Sequence, residues 1–311
     1  IRPRNTIPTT IDTGFLRAQL SRWKRHVLGV TRMPCGRPGR KVESMDSARV
    51  ATPDEIAAAL VSARQARRPL DGFPGPMPQS LEEAYCIQDA GIALWPDEIA
   101  GWKIGMVNPF SMRARLGAER LSGPIFSRDV RRATAGQETT FPVFTGGFAA
   151  VEGEFIFRIG ADAPAARTDW TDEEAIALVA ALHIGIETAG SPMAAINDLG
   201  SPVVSSDFGN NYGVILGPEI SSWRERLNEI EVRTLIDGAV VGTGFADVLP
   251  GGPIAGLRFL LAHLASRGRP LRKGQLVSSG AITGVHSIRA GQRSLITFSG
   301  CGEISCKAVP A

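Results

Sequence analysis

The chain has 311 residues, 43% hydrophobic and 21% charged, with a formal net charge of +3. That length can bury a sizeable core, and the composition excludes a disordered chain, a coiled coil, a collagen and a disulfide scaffold. The charge is unevenly placed: residues 1–44 hold ten Lys/Arg and two acids, a net of +8, and the remaining residues carry a net of −5. The basic residues are therefore confined to the opening segment. No aromatic-interleaved basic face follows it, so no nucleic-acid partner is expected. The Arg-rich, acid-poor segment 1–44 is expected to be a disordered or non-native extension; a targeting peptide or a basic binding arm are the alternatives. From Met45 a single domain is expected over 45–311, with a helical part at 45–100 and a strand-rich core at 101–311. Cys35, Cys86, Cys301 and Cys306 lack paired spacing, which predicts reduced thiols in a cytoplasmic protein. No apolar run reaches about 18 residues, so no transmembrane helix is expected.

Three capping boxes predict helix starts. Thr52-Pro53-Asp54-Glu55 opens a helix to about Arg67, with Ile56, Leu60 and Ala63 on one face. Ser80-Leu81-Glu82-Glu83 opens a second, which must stop near Pro96. Thr171-Asp172-Glu173-Glu174 opens a third, expected to run through Leu178 toward Leu182. A fourth starts at Pro253, carries Leu257, Leu260, Leu261 and Leu264, and ends near Gly268. Strands are predicted at 151–159, 203–206, 213–216, 230–236, 240–244, 275–279, 294–298 and 303–308. Asp237-Gly238 is a two-residue hairpin signal between two of them. Helices concentrate before residue 105 and strands after 140, the order of an α+β fold.

The strongest chemical signal is Val151-Glu152-Gly153-Glu154-Phe155-Ile156-Phe157. Residues two apart on a strand share a face, so Glu152 and Glu154 project together and Val151, Phe155 and Phe157 pack opposite. A buried carboxylate pair needs a cation or a shared proton, and a hard divalent cation with oxygen ligands meets that need. Leu182-His183-Ile184-Gly185-Ile186-Glu187 alternates too, and Glu187 ends it as a third carboxylate. His183 shares that face; a hydrogen-bonded core histidine is its ordinary reading. Lys103, in Gly101-Trp102-Lys103-Ile104-Gly105, is bracketed by apolar residues and glycines. It reads either as a surface lysine or as a cation facing an anionic substrate. Asp207 to Gly213 gathers polar side chains, Asn211 among them, before a strand, either as a turn or aimed at a site. Ser278 to Gly284 follows a strand and offers backbone N–H groups and hydroxyls, Ser279 and Gly280 included, that can hold a carboxylate.

Several segments, in order, resemble the fumarylacetoacetate hydrolase superfamily, and within it the 2-keto-4-pentenoate hydratase / 4-oxalocrotonate decarboxylase group. They are GWKIG at 101–105, SGPIF at 122–126, VEGEFIFRI at 151–159, IGIETAG at 184–190 and VSSDFGNNYGVILG at 204–217. The run from Gly244 to Val285 and GCGEISCKA at 300–308 complete the set. The match spans roughly 46–309 and leaves 1–44 without a counterpart. The resemblance implies a mixed β-sandwich roll of the fumarylacetoacetate hydrolase type with a small helical N-terminal part, and a homo-oligomer. It implies Mg²⁺ or Mn²⁺ on Glu152, Glu154 and Glu187, and catalytic roles for Lys103, Asp207 and Thr283. Ser279, Gly280 and Asn211 become substrate-binding candidates for a small anionic 2-oxo acid. The implied reaction is hydration of 2-hydroxypenta-2,4-dienoate (2-keto-4-pentenoate) in aromatic catabolism. A 4-oxalocrotonate-type decarboxylase or an acylpyruvate C–C hydrolase are the alternatives.

The chain departs from the pattern at three places. Hydratases of the group commonly carry an Asp shortly before the glycine of SGPIF, where this chain has Leu121-Ser122. The residue after Asp207 is Phe208 rather than Asn, and a Ser-Phe-Thr-Arg-like run reads Ala281-Ile282-Thr283-Gly284. The hydrolases of the superfamily use an early His–Glu pair; the early histidine here, His26, lies in the unmatched segment.

Overall fold

The computed structural model describes residues 50–311. The expected extension at 1–44, His26 and the domain start at Met45 lie outside the described residues. Helix α1 (Pro53–Gln65) starts on the Thr52–Glu55 box, with both reciprocal hydrogen bonds made. At α2 (Leu81–Leu94) Ser80 accepts from the Glu83 N–H, but the Glu83 carboxylate accepts from Gln79 N–H instead, one residue early. Ile56 and Leu60 of α1 and Ile87 of α2 form a small apolar cluster with Met193, Ile196 and Val203.

Strand β1 (Ile99–Met106) follows, then helix α3 (Phe110–Leu116) and strands β2 (Arg120–Phe126), β3 (Val130–Arg132) and β4 (Thr139–Val143). Strand β5 (Phe148–Ile159), helix α4 (Asp172–Ala177) and strand β6 (Val179–Ser191) form the centre. Helix α5 (Ser201–Ser206), strand β7 (Asn211–Glu219) and helix α6 (Trp223–Arg226) come next. The hairpin β8 (Val232–Ile236) and β9 (Ala239–Gly244) turns at Asp237 and Gly238, both with positive φ, 47° and 84°, as a two-residue turn of the I′ kind requires. Helix α7 (Gly252–Ser266) and strands β10 (Leu276–Ser278), β11 (His286–Ser287), β12 (Arg293–Phe298) and β13 (Gly302–Pro310) close the chain.

Two sheets result. The larger is ordered β2-β1-β10-β5-β6-β7-β3, with β11 also on β5; the smaller is β4-β13-β12-β8-β9. The main core lies between them: Phe155 of β5 meets Phe298 of β12 edge-on at 5.9 Å between ring centres. Gly153 is required there, because a Cβ would stand 2.9 Å from Val232 Cγ1 and 3.0 Å from Ile296 Cγ2. This is the mixed α+β architecture with a curled sheet that the resemblance implies. No helix among the described residues is long and apolar enough to cross a membrane.

Two predicted elements differ. The helix opened at Thr171 stops at Ala177, because Val179 onward pairs with β5 and buries alternate apolar residues against the second sheet. The apolar run 203–206 is helical rather than extended: Gly200 (φ 95°) turns the chain, Pro202 enters the first turn, and Ser206 Oγ donates to Pro202 O at 3.0 Å. Pro preset for a first helical turn outweighs the β preference of Val203 and Val204.

Candidate active site

Strands β5 and β6 set three carboxylates side by side. Glu152 and Glu154 share one face of β5, and the antiparallel register places Glu187 directly across from Glu152. The opposite face of β5 carries Val151, Phe155, Phe157 and Ile159 into the main core. All three glutamates are buried, Glu154 and Glu187 completely. A ligand oxygen from each lies within 4.8 Å of the others. Lys103 arrives from β1, where it pairs with Ser278 of β10, and its Nζ is 3.2 Å from Glu187 Oε1.

Polar neighbours aim the carboxylates. Glu154 Oε2 accepts from Ser278 Oγ–H at 2.5 Å and from Gly280 N–H at 2.9 Å. Asn211 Nδ2–H donates to Glu187 Oε1 at 3.1 Å. Behind Asn211, Arg64 Nη1–H donates to the Asn211 carbonyl at 3.0 Å, and Arg64 Nη2–H to Gly190 O at 3.0 Å. Arg64 Nε is 2.5 Å from Asp207 Oδ1, and Ser191 Oγ–H donates to Asp207 Oδ2 at 2.6 Å.

Three buried acids against one lysine leave the cluster short of positive charge. Burial, with the charge of Glu187 added, pushes the Glu152 carboxyl up to about 8, although Lys103 pulls it the other way. Burial, then Glu187 and Glu152, holds Glu154 well above the usual carboxylate range. For Lys103 burial is the largest influence and lowers its pKa, but Glu187, Glu152 and Glu154 together outweigh it and raise it. Glu154 Oε1 and Glu187 Oε2 are buried with no hydrogen-bond partner. Two orphaned oxygens, in a set of three carboxylates that each offer one oxygen within an ion's reach, fit a hard divalent cation, whose oxygen ligands stand at roughly 2.0–2.6 Å.

The cluster lies beside a cavity of about 440 Å³. Lys103, Glu152, Ser279 and Gly280 are on its wall, with Ile104, Leu121 and Leu249 supplying apolar surface.

No protein-family model matches the chain. Two curated proteins are similar to it: a 2-keto-4-pentenoate hydratase of Paraburkholderia xenovorans (strain LB400) and a 2-keto-4-pentenoate hydratase 3 of Pseudomonas putida. Each is 25% identical over 259 residues, covering 81% of this chain and 93% of the relative. Among solved structures, 4-oxalocrotonate decarboxylase from Pseudomonas putida G7 has the same fold. Its complexes with calcium and acetate and with magnesium and adipate match at TM-score 0.67, covering 83% of this chain and 97% of that one, at 18% and 17% identity. The chain is thus distantly similar in sequence to the two hydratases and shares the fold of the decarboxylase.

The residues singled out from sequence fall into three groups. Lys103, Glu152, Ser279 and Gly280 line the cavity. Glu154, Glu187 and Asn211 join the cluster through the contacts above. Asp207 and Thr283 are not among the lining residues. Both oxygens of Asp207 are taken by Arg64 and Ser191, and Thr283 Oγ1 is 2.7 Å from Thr234 Oγ1 on the smaller sheet. The Ser279 hydroxyl accepts from Phe155 N–H at 3.2 Å, so it also ties the loop to β5. His183 Nδ1 is 3.1 Å from Gly217 O, the ordinary core contact, and burial lowers its pKa.

Sequence reasoning missed Arg64, Asn108 and Arg120. Arg64 had a signal: Ile56, Leu60 and Arg64 follow the i, i+4 spacing, which turns Arg64 onto the buried face. Asn108 and Arg120 flank the short helix α3 and reach the cavity only through the β1–β2 pairing.

Proposed function

We propose that the chain is a divalent-metal-dependent lyase acting on small 2-oxo or 2-hydroxydienoic acids, with hydration of 2-hydroxypenta-2,4-dienoate as the first reading. The observation that carries it is the buried Glu152–Glu154–Glu187 set with Lys103, at the wall of a cavity sized for a small acid. The relatives with 25% identity are hydratases of the same substrate class, which supports the reading.

Glu152, Glu154 and Glu187 would hold Mg²⁺ or Mn²⁺. When bound, such an ion supplies Lewis acidity and positive charge toward a carboxylate and its neighbouring 2-oxygen. Lys103, on the cavity wall and 3.2 Å from Glu187, presents its ammonium group toward an anionic substrate. Gly280 and Ser279 fix the cavity wall from which Glu154 is oriented. Ile104, Leu121 and Leu249 limit water on the carbon-chain side, which strengthens the polar contacts.

One observation favours a second reading, decarboxylation of a 4-oxalocrotonate-type acid. Leu121, apolar, occupies the cavity wall near where hydratases of the group carry an acid. The titratable groups on that wall are Lys103, Arg120 and Glu152. None of His183, His263 and His286 lines the cavity, which weighs against the His–Glu chemistry of the hydrolases.

The test is a turnover assay of the full chain with Mg²⁺ or Mn²⁺, following ultraviolet loss of 2-hydroxypenta-2,4-dienoate, 4-oxalocrotonate and an acylpyruvate. Metal-dependent loss of either of the first two supports the lyase reading. Turnover of the acylpyruvate alone would overturn it.

A further inference from the structure

Strand β2 is an edge strand of the larger sheet. At Ser122 its outward backbone groups are taken by helix α2 rather than by another strand. The Ser122 N–H donates to the Tyr85 hydroxyl oxygen at 3.1 Å, and one turn further along α2, Gln88 Nε2–H donates to Ser122 O at 2.9 Å. Buried edge groups without a partner destabilise a sheet, so these two side chains close the edge. The Gln88 amide has two hydrogens, and the second goes to Ser205 O at 2.7 Å. Ser205 lies in the last turn of α5, where helix carbonyls lack a partner within the helix. One fully buried amide nitrogen therefore ties β2 to α5. Each tied residue follows a residue of the cavity wall. Leu121 precedes Ser122, Val204 precedes Ser205, and both Leu121 and Val204 line the cavity. Gly123, next along β2, is the register partner of Lys103. A Cβ on Gly123 would stand 2.0 Å from Phe208 O, so β2 lies flush against the segment that follows α5.

We propose that Gln88 is a positioning residue: it fixes the Leu121 and Val204 walls relative to each other and so sets the girth of the carbon chain that the cavity accepts. The inference rests on the 2-oxo acid reading and adds to it a selectivity for chain shape. Gln88 is not a cavity-lining residue; it acts through the two carbonyls. Because they share one nitrogen, the Ser122 and Ser205 oxygens stay within two hydrogen-bond lengths of each other. Ser122 and Ser205 are both fully buried, so a shift of either wall strips a carbonyl of its donor in a place water does not reach. The walls are thereby held at one spacing.

The experiment titrates the full chain, saturated with Mg²⁺, with 2-oxohexanoate and with its branched isomer 4-methyl-2-oxopentanoate by calorimetry, beside thermal melts. The two acids have the same composition and differ in girth at the fourth carbon. The wild type is expected to bind the straight acid about tenfold more tightly. Gln88→Met, which keeps the side-chain length and loses both donors, is expected to bring that ratio within about threefold. Leu121→Ala and Val204→Ala, which shave the walls with Gln88 in place, are expected to lower the ratio too, and they test the proposal should Gln88→Met not fold. Ser80→Ala deletes the N-cap of α2, whose hydroxyl accepts from the Glu83 N–H, and is expected to lower the melting temperature while leaving the ratio unchanged. Equal affinities in the wild type, a ratio that survives in Gln88→Met or in both wall variants, or a ratio lost equally in Ser80→Ala overturns the proposal and leaves the 2-oxo acid reading standing. Binding of neither acid by the wild type overturns that reading and this one with it.

Discussion

Glu152 on β5 and Glu187 on β6 are direct cross-strand partners, both buried, with a single lysine, Lys103, 3.2 Å from Glu187. Like charges directly opposite on a sheet destabilise it. A fold that keeps them there, with Glu154 beside them, holds a built-in demand for a cation.

That demand sets a pH dependence. Glu152 has a folded-state pKa pushed up to about 8, from an ordinary 4.5, by burial and then by Glu187. Glu154 shifts in the same direction. The folded state thus binds more protons than the unfolded state between those values, so stability falls as pH rises through that window. The raised pKa of Lys103 acts only above the ordinary lysine range and leaves this window untouched. Melting temperature in EDTA should therefore drop from about pH 5 to about pH 8. Saturating Mg²⁺ should flatten the drop, with protons released on binding. A melting temperature that climbs over this window in EDTA would contradict the assignment.

Lys103→Met removes the one buried cation of the cluster among the described residues. Breaking such a contact while its acids stay buried costs roughly 3–5 kcal/mol. The expected result is a lower denaturation midpoint in EDTA, largely restored by Mg²⁺, with turnover lost in both conditions. A variant that turns over at the wild-type rate removes Lys103 from the chemistry.

Asn211 and Arg64 position Glu187 from behind. Asn211→Ala deletes the amide donor to Glu187 Oε1, and the loss of such a supporting contact typically costs 10–100-fold in metal affinity. The measurement is Mn²⁺ affinity at constant pH, beside a metal-free melt to separate affinity from folding. Arg64→Met strands buried Asp207 and should destabilise by about 3–5 kcal/mol. Adding Asp207→Asn should recover part of that loss, because the stranded charge is gone; no recovery in the double variant would show that the Arg64–Asp207 pair is not the source.

Much of the site could be read from local pattern. Glu152 and Glu154 follow from the two-residue period of a strand, and Glu187 from being the charged end of an alternating apolar segment. Two of the three capping boxes formed fully because a cap needs only four consecutive residues. What stayed hidden depends on partners far along the chain. Arg64 contacts Asp207, 143 residues away, and no local spacing reports that. Arg120 reaches the cavity because β2 folds back on β1. Strands β1 to β4 are short or interrupted by glycine and proline, so their pairing, not their pattern, makes them strands. Val203 and Val204 read as extended because β-branched residues do, until Pro202 and the turn at Gly200 are considered.

The central claim is that Glu152, Glu154 and Glu187 form one divalent-cation site, and calorimetric titration of the metal-free full chain with Mn²⁺, wild type against Glu154→Gln, tests it most directly. The account predicts one ion per chain in the wild type and binding weakened at least about 100-fold in Glu154→Gln, whose lost charge no neighbour replaces. Unchanged Mn²⁺ affinity and stoichiometry in Glu154→Gln would contradict it.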